Sequence, residues 1–99
     1  MKLDITPTEE GYRLEGELDM ATADDLSELL RESGGHADPV VLDFEGISFM
    51  DSSGLRVLLE AAAAEDQGTS VVIIHPTDQV RRVLDISIPG GAPGLEVRS

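Results

Sequence analysis

The chain has 99 residues and a net charge of −13, from 20 acidic and seven basic residues. This length is enough for a single core without metal or disulfide support, so we assign one domain to residues 1–99. The negative charge repels nucleic acid and anionic lipid surfaces, so we expect no direct binding to either. The chain contains no cysteine, which excludes disulfides, thiol catalysis and cysteine-based zinc sites and is compatible with a reducing compartment.

The sequence shows neither a membrane segment nor an export signal. No stretch approaches the roughly 18 consecutive apolar residues of a membrane helix, and Met1–Asp4 lacks the apolar core of a signal peptide. We therefore expect a cytoplasmic protein. The charge is uneven, because residues 1–45 hold thirteen acidic and three basic residues. A basic partner would be steered toward this half of the chain.

Two strands and a helix are predicted first. Apolar and polar residues alternate over Leu3–Ile5 and Tyr12–Leu18, with turn residues between the two runs, which predicts a hairpin. Thr22 is the expected N-cap of the first helix, with Asp25 three residues later as in a capping box. Gly34-Gly35 is expected to end this helix. Its buried face would consist of leucines, namely Leu26, Leu29 and Leu30.

Two short apolar runs, Val40–Phe44 and Val71–Ile74, are predicted to be buried strands. Continuous apolar runs separated by a helix favour parallel neighbours in the middle of a sheet. The first of these strands is expected to end before Gly46. The helix between them would begin after Asp51 and stop at Gly68. Its apolar residues repeat at helical spacing, at Leu55, Leu58, Leu59 and Ala62.

A third helix and a last strand complete the pattern. Thr77 or Asp78 is expected to cap the helix, and Leu95–Val97 adds at most a short edge strand after the turn-rich Pro89–Gly94 segment. The residues of the helix expected to face inward are Val80, Val83 and Leu84. The predicted order is β-β-α-β-α-β-α-β, an α/β fold with a mixed sheet and packed helices.

The segment Asp51-Ser52-Ser53-Gly54 lies where a buried strand passes into a helix. The first amides of a helix lack intrahelical partners and carry the positive end of the dipole, so a carboxylate or phosphate is stabilised there. Asp51 is a natural N-cap, which leaves Ser52 at about the first helical position and pointing to solvent, with Gly54 leaving its hydroxyl accessible. On residue types alone, a cap without further function explains the same residues.

Two motifs at compatible spacing resemble the STAS family, in particular the bacterial anti-sigma factor antagonists. They are Phe49-Met50-Asp51-Ser52-Ser53-Gly54-Leu55 and, earlier, Gly16-Glu17-Leu18-Asp19 leading into a helix. The resemblance runs from about residue 3 to residue 86 and implies a single STAS domain. It also implies binding to an anti-sigma factor that is an ATP-dependent serine kinase, with release of a sigma factor. Phosphorylation of the first serine would end this binding, and a serine phosphatase would restore it.

Carried over to this chain, the resemblance makes Ser52 the phosphoacceptor, with Ser53 as a minor alternative. Asp51 and Ser53 would flank it as partner contacts, and Asp19 would belong to the docking surface. The other contact or supporting residues would be Met50, Gly54 and Leu55. For Met50, core packing explains the residue equally well. ATP and Mg²⁺ would belong to the kinase, so we expect no cofactor or metal in this chain.

Two other functions fit parts of the pattern. A STAS subunit of an ABC-type lipid transport system would use the fold as a constitutive structural contact, but it needs no exposed acceptor hydroxyl. A hydrolase would use Ser52 with His75 at the same sheet edge, but the G-x-S-x-G elbow is absent and the adjacent Asp51 cannot act through an imidazole. Gly90-Gly91 also lacks the lysine of a phosphate-binding loop. We therefore expect no enzyme activity.

The end of the sequence departs from the resemblance. Members of the family usually continue into a further helix after the last strand, whereas this sequence ends with Val97-Arg98-Ser99. An uncovered sheet edge can pair with a second chain. We expect a monomer, with a dimer as the alternative.

Overall fold

The computed structural model describes residues 3–33, 39–63, 70–89 and 92–98. The predicted order of elements and the mixed α/β fold are confirmed. The expectations about Gly34-Gly35, Gly68 and Gly90-Gly91 lie outside the described residues. The elements are β1 (Asp4–Pro7), β2 (Gly11–Leu18), α1 (Ala23–Ser33), β3 (Val40–Met50), α2 (Ser52–Ala63), β4 (Val71–Ile74), α3 (Asp78–Ser87) and β5 (Leu95–Val97).

The five strands form one sheet in the order β1-β2-β3-β4-β5. β1 and β2 pair antiparallel as a hairpin, and the remaining neighbours pair parallel. The parallel pairing of β3 with β4 agrees with their continuous apolar sequences. β5 is a short edge strand, as predicted.

Buried side chains from the strands and all three helices form one apolar core. The predicted inward positions that are buried are Leu26, Leu29, Leu30, Leu55, Leu58, Val80 and Leu84, whereas Leu59, Ala62 and Val83 pack partly buried at its margin. No helix within the described ranges is both long enough and apolar enough to cross a membrane.

β3 is longer than predicted. It continues past Gly46 to Met50 because β2 accompanies it to the Leu18–Met50 pair. The register between the two strands slips twice along this stretch, so β3 contains extra residues relative to β2. A Cβ on Gly46 would lie 2.6 Å from the Glu15 Cγ. Gly46 therefore permits a close approach within an irregular strand pair, and it does not end the strand.

Thr77 is the N-cap of α3, which decides between the two predicted caps. Its side chain accepts a hydrogen bond from the Val80 amide at 3.5 Å, and its hydroxyl donates to the Ile47 carbonyl at 3.0 Å. The hydroxyl therefore both caps the helix and attaches its first turn to β3.

Candidate functional site

β2 and β3 end side by side. Leu18 pairs with Met50, and the Asp51 amide donates to the Leu18 carbonyl at 3.0 Å. Beyond this point one strand leads into the turn before α1, and the other leads directly into α2. Because the carboxyl ends of parallel strands meet at one edge of a sheet, the two sequence motifs come together in space.

Asp51 caps α2, as predicted. Its Oδ1 accepts a hydrogen bond from the Ser53 amide at 2.8 Å, and its carbonyl accepts one from the Leu55 amide at 3.3 Å. Ser52 is the first residue of the helix and is exposed, whereas Ser53 is half-buried. Of the two candidate acceptors, Ser52 is therefore the more accessible to a second molecule.

Gly54 is buried against the end of β2. A Cβ at this position would lie 2.9 Å from the Leu18 Cβ and 3.1 Å from the Met50 Cγ. The missing side chain therefore lets the first turn of α2 pack on the strand ends. This packing explains the glycine better than the access to the Ser52 hydroxyl that the sequence suggested.

Two other predicted contact residues belong mainly to the core. Met50 is fully buried, so it offers no surface to a partner, and the core-packing alternative explains it. Leu55 is 5% exposed and is one of the residues that line a shallow, apolar hollow. The remaining residues that line this hollow are Ser52, Arg56, Leu59 and Glu60.

Asp19 organises the turn that leads into α1. Its Oδ1 accepts hydrogen bonds from the amides of Ala21 at 2.9 Å and Thr22 at 3.2 Å. The buried Thr22 hydroxyl donates to the Glu17 carbonyl at 2.6 Å and accepts from the Asp19 amide at 3.1 Å. Because the Thr22 amide is bound by Asp19, the predicted capping box with Asp25 is wrong. Asp19 thus has a structural role, and its half-buried position leaves part of it accessible.

Two exposed apolar side chains lie at the same end of the sheet. Met20, in the turn after β2, is 80% exposed, and Phe49, next to the end of β3, is 40% exposed. The sequence analysis missed Met20, although an apolar residue inside a polar turn directly after the Gly16–Asp19 motif was a usable signal.

Gln79 was also missed. Its Oε1 accepts a hydrogen bond from the Met50 amide at 2.8 Å, and its Nε2 donates to the Met50 carbonyl at 3.0 Å. The two residues are 29 positions apart in the chain. No local pattern could have paired them.

The structure does not bring His75 to Ser52. β4 pairs with β3 only as far as the Asp43–Ile74 pair, and the Nδ1 of His75 lies 3.2 Å from the Oδ1 of Asp43. β3 continues well beyond Asp43 before Ser52 is reached. Within the described part of the chain, no group of three or more His, Asp or Glu side chains is placed to hold a metal ion.

Comparison with known proteins identifies the family to which the chain belongs. The family model described as "Mlab, STAS domain" matches residues 1–87. The structure of the anti-sigma factor antagonist SpoIIAA in its unphosphorylated form is similar, with 26% identity and a TM-score of 0.60, over 98% of this chain and 88% of that chain. An anti-sigma factor antagonist from Mycobacterium paratuberculosis shares the fold, with 19% identity and a TM-score of 0.62, over 95% and 83% of the two chains. The family match extends from the first strand to the end of α3, and the chain belongs to the STAS domain family.

Proposed function

We propose that this chain is a non-enzymatic anti-sigma factor antagonist that is switched off by phosphorylation of Ser52. It binds a cognate anti-sigma factor with serine kinase activity in the cytoplasm and thereby releases a sigma factor. The kinase supplies the ATP and Mg²⁺, and a serine phosphatase resets the switch. The observation that carries the proposal is the exposed Ser52 side chain at the first residue of α2, beside the Asp51 cap.

The position of Ser52 suits a switch that acts on binding and leaves the fold intact. A phosphate adds about −1.5 to −2 charges and three acceptor oxygens. The helix dipole stabilises this charge, whereas the adjacent Asp51 carboxylate opposes it. Because the two effects have opposite signs, the stability of the domain changes little.

The surroundings of Ser52 suit a protein partner. Met20, Phe49 and the hollow beside Leu59 offer exposed apolar surface, and Asp19 and Asp51 add negative charge. Such a surface complements a partner with an apolar centre and a basic rim. On binding, a phosphate at Ser52 would lose its water beside the apolar hollow and would face the apolar centre of the partner, where no cation pairs with it. Loss of several kcal/mol corresponds to an affinity lower by about a thousandfold.

The experiment that tests this function is phosphorylation by the serine kinase domain of the anti-sigma factor encoded in the same genome, with ATP and Mg²⁺. Intact-mass measurement of the wild-type chain should show the gain of one phosphate. Ser52→Ala should gain none, and Ser53→Ala should be modified like the wild type. If Ser52→Ala gains phosphate to the same extent as the wild type, the acceptor is another residue. A wild type that gains no phosphate would contradict the proposal.

A second candidate is a STAS subunit of an ABC-type lipid transport system, in which the domain is a constitutive contact. It is favoured by the family match itself, whose description names Mlab and no anti-sigma role. The two functions differ in how Ser52 affects binding. A Ser52→Asp variant should lose an anti-sigma factor partner. Co-purification of the wild type with a membrane transport complex, and not with a kinase, would favour the second candidate.

A further inference from the structure

Among the described residues, the half of β3 that leads to Ser52 pairs with a strand on one side only, the side of β2. β2 accompanies β3 to its last residue, whereas pairing with β4 stops at Asp43–Ile74. Within the described ranges, the backbone of residues 46–50 therefore has no strand partner on the β4 side. Buried backbone amides and carbonyls need hydrogen-bond partners, so another part of the chain has to supply them.

The first turn of α3 supplies these partners through two side chains. The Thr77 hydroxyl donates to the Ile47 carbonyl at 3.0 Å. At Met50, the Gln79 side-chain amide accepts from the backbone N–H at 2.8 Å and donates to the carbonyl at 3.0 Å. A primary amide has both a donor and an acceptor, so Gln79 bonds to Met50 as a neighbouring strand would. We call this pair of hydrogen bonds the Gln79–Met50 clamp.

The clamp fixes the residue from which the acceptor segment leaves the sheet. Met50 is held by Gln79 on one side and pairs with Leu18 on the other. The next residue, Asp51, donates its amide to the Leu18 carbonyl and caps the helix that begins at Ser52. The direction in which the Ser52 hydroxyl points is thus set by a backbone that is bonded on both sides.

We propose that Gln79 is a positioning residue for phosphorylation, which orients the Ser52 hydroxyl through the backbone of Met50. This inference rests on the proposed function and adds α3 to the elements that control it. In the part of the chain that the structure describes, the hydrogen bonds of the Gln79 side chain are to Met50 and not to Ser52, so its effect is on orientation. Displacement of a reacting group by about 1 Å can lower a rate by about a hundredfold.

The test uses Gln79→Met, which keeps the length of the side chain and removes both hydrogen bonds. Val83→Ala is the matched control, because it weakens the packing of α3 without touching β3 hydrogen bonds. Gln79→Glu is the second variant, because it keeps an acceptor for the Met50 amide and removes the donor to the Met50 carbonyl. It keeps the test decisive if Gln79→Met does not fold.

Two measurements are made on each variant. Amide hydrogen exchange compares Met50 with Leu42, which is also on β3 but lies where β4 pairs with it. The steady-state kinetics of phosphorylation by the anti-sigma kinase separate kcat from KM. For Gln79→Met we expect the exchange of Met50 relative to Leu42 to rise about tenfold or more, and kcat to fall about tenfold or more with KM nearly unchanged. Gln79→Glu should lower kcat in the same direction but raise the exchange of Met50 less, because it keeps the acceptor of the Met50 amide, and Val83→Ala should leave both near the wild-type values.

The outcomes separate this inference from the proposed function. A wild type that is phosphorylated, with Gln79 variants phosphorylated at the same kcat, would overturn the positioning role even if Met50 exchanges faster. Unchanged relative exchange of Met50 in Gln79→Met would show that the clamp does not hold the segment, and it would also overturn the inference. A wild type that is not phosphorylated would overturn the proposed function, and the role of Gln79 in it, whatever the exchange shows.

Discussion

Gly54 and Leu18 approach each other so closely that a methyl group on Gly54 would stand 2.9 Å from the Leu18 Cβ and 3.2 Å from the Leu18 carbonyl oxygen. This contact joins the first turn of α2 to the end of β2, and so joins the two motifs by which the sequence resembles its family. Neither neighbouring group can move easily, because Leu18 is fully buried and paired with Met50.

We expect Gly54→Ala to destabilise the domain by about 1–3 kcal/mol through overpacking. This outcome is opposite to the helix preference for alanine over glycine, which alone would stabilise by about 1 kcal/mol. Urea unfolding measures the difference. Ser52→Ala is the control, since its exposed side chain should change the free energy of unfolding by less than about 0.5 kcal/mol. A stabilised Gly54→Ala variant would contradict the close approach.

Asp51 is expected to stabilise α2 through its side-chain oxygen and not through its charge. Asp51→Ala removes the acceptor of the Ser53 amide and should cost about 1 kcal/mol. Asp51→Asn keeps an equally good capping oxygen and should cost much less. Thermal or urea unfolding of the two variants checks this. Equal losses in both would mean that the charge, and not the hydrogen bond, provides the stability.

The stability of the domain should depend on the hydroxyl of Thr22 and little on its methyl group. Thr22→Val leaves the Glu17 carbonyl and the Asp19 amide without this partner and should cost about 1–3 kcal/mol. Thr22→Ser retains both hydrogen bonds and should retain most of the stability. The free energies of unfolding of both variants provide the measurement. A Thr22→Val variant as stable as Thr22→Ser would rule out the hydroxyl as the organiser of this turn.

A phosphate on Ser52 should compete with Glu60 for Arg56. Ser52 and Arg56 are one helical turn apart and line the same hollow, and the Arg56 Nε lies 3.5 Å from a Glu60 carboxylate oxygen. Arg56→Ala removes a cation that favours the dianion, so it should raise the second pKa of the phosphoserine by about 0.3. Glu60→Ala frees Arg56 and should lower that pKa. Phosphorus NMR titration compares the variants with the parent, and identical titration curves would contradict the competition.

The sequence predicted the elements well because each is marked by local chemistry. Each of these signals lies within a few residues of the element that it marks. They are the apolar runs of β3 and β4, the alternation in the hairpin, and the capping residues Asp51 and Thr77. The motif Phe49–Leu55 also indicated correctly that Ser52 begins a helix. What could be predicted was therefore the local structure and the identity of the exposed serine.

Apart from the local turn at Asp19, what the sequence missed consists of contacts between distant parts of the chain. Gly46 looked like the end of a strand because the pairing of β2 with the far half of β3 has no local signature. Asp25 looked like the partner of Thr22, but Asp19, which precedes the helix, binds the Thr22 amide. The clamp between Gln79 and Met50 joins two elements that only the folded sheet brings together. Such contacts are set by tertiary packing.

We expect a phosphate on Ser52 to weaken binding and to leave the fold unchanged. Calorimetric titration of the anti-sigma kinase with the unphosphorylated chain and with a chain carrying phosphoserine at position 52, combined with thermal unfolding of both forms, tests this expectation. We predict that the phosphorylated chain binds about a thousandfold more weakly while the two forms unfold at nearly the same temperature. Equal affinity of the two forms would rule out a phosphorylation switch at Ser52.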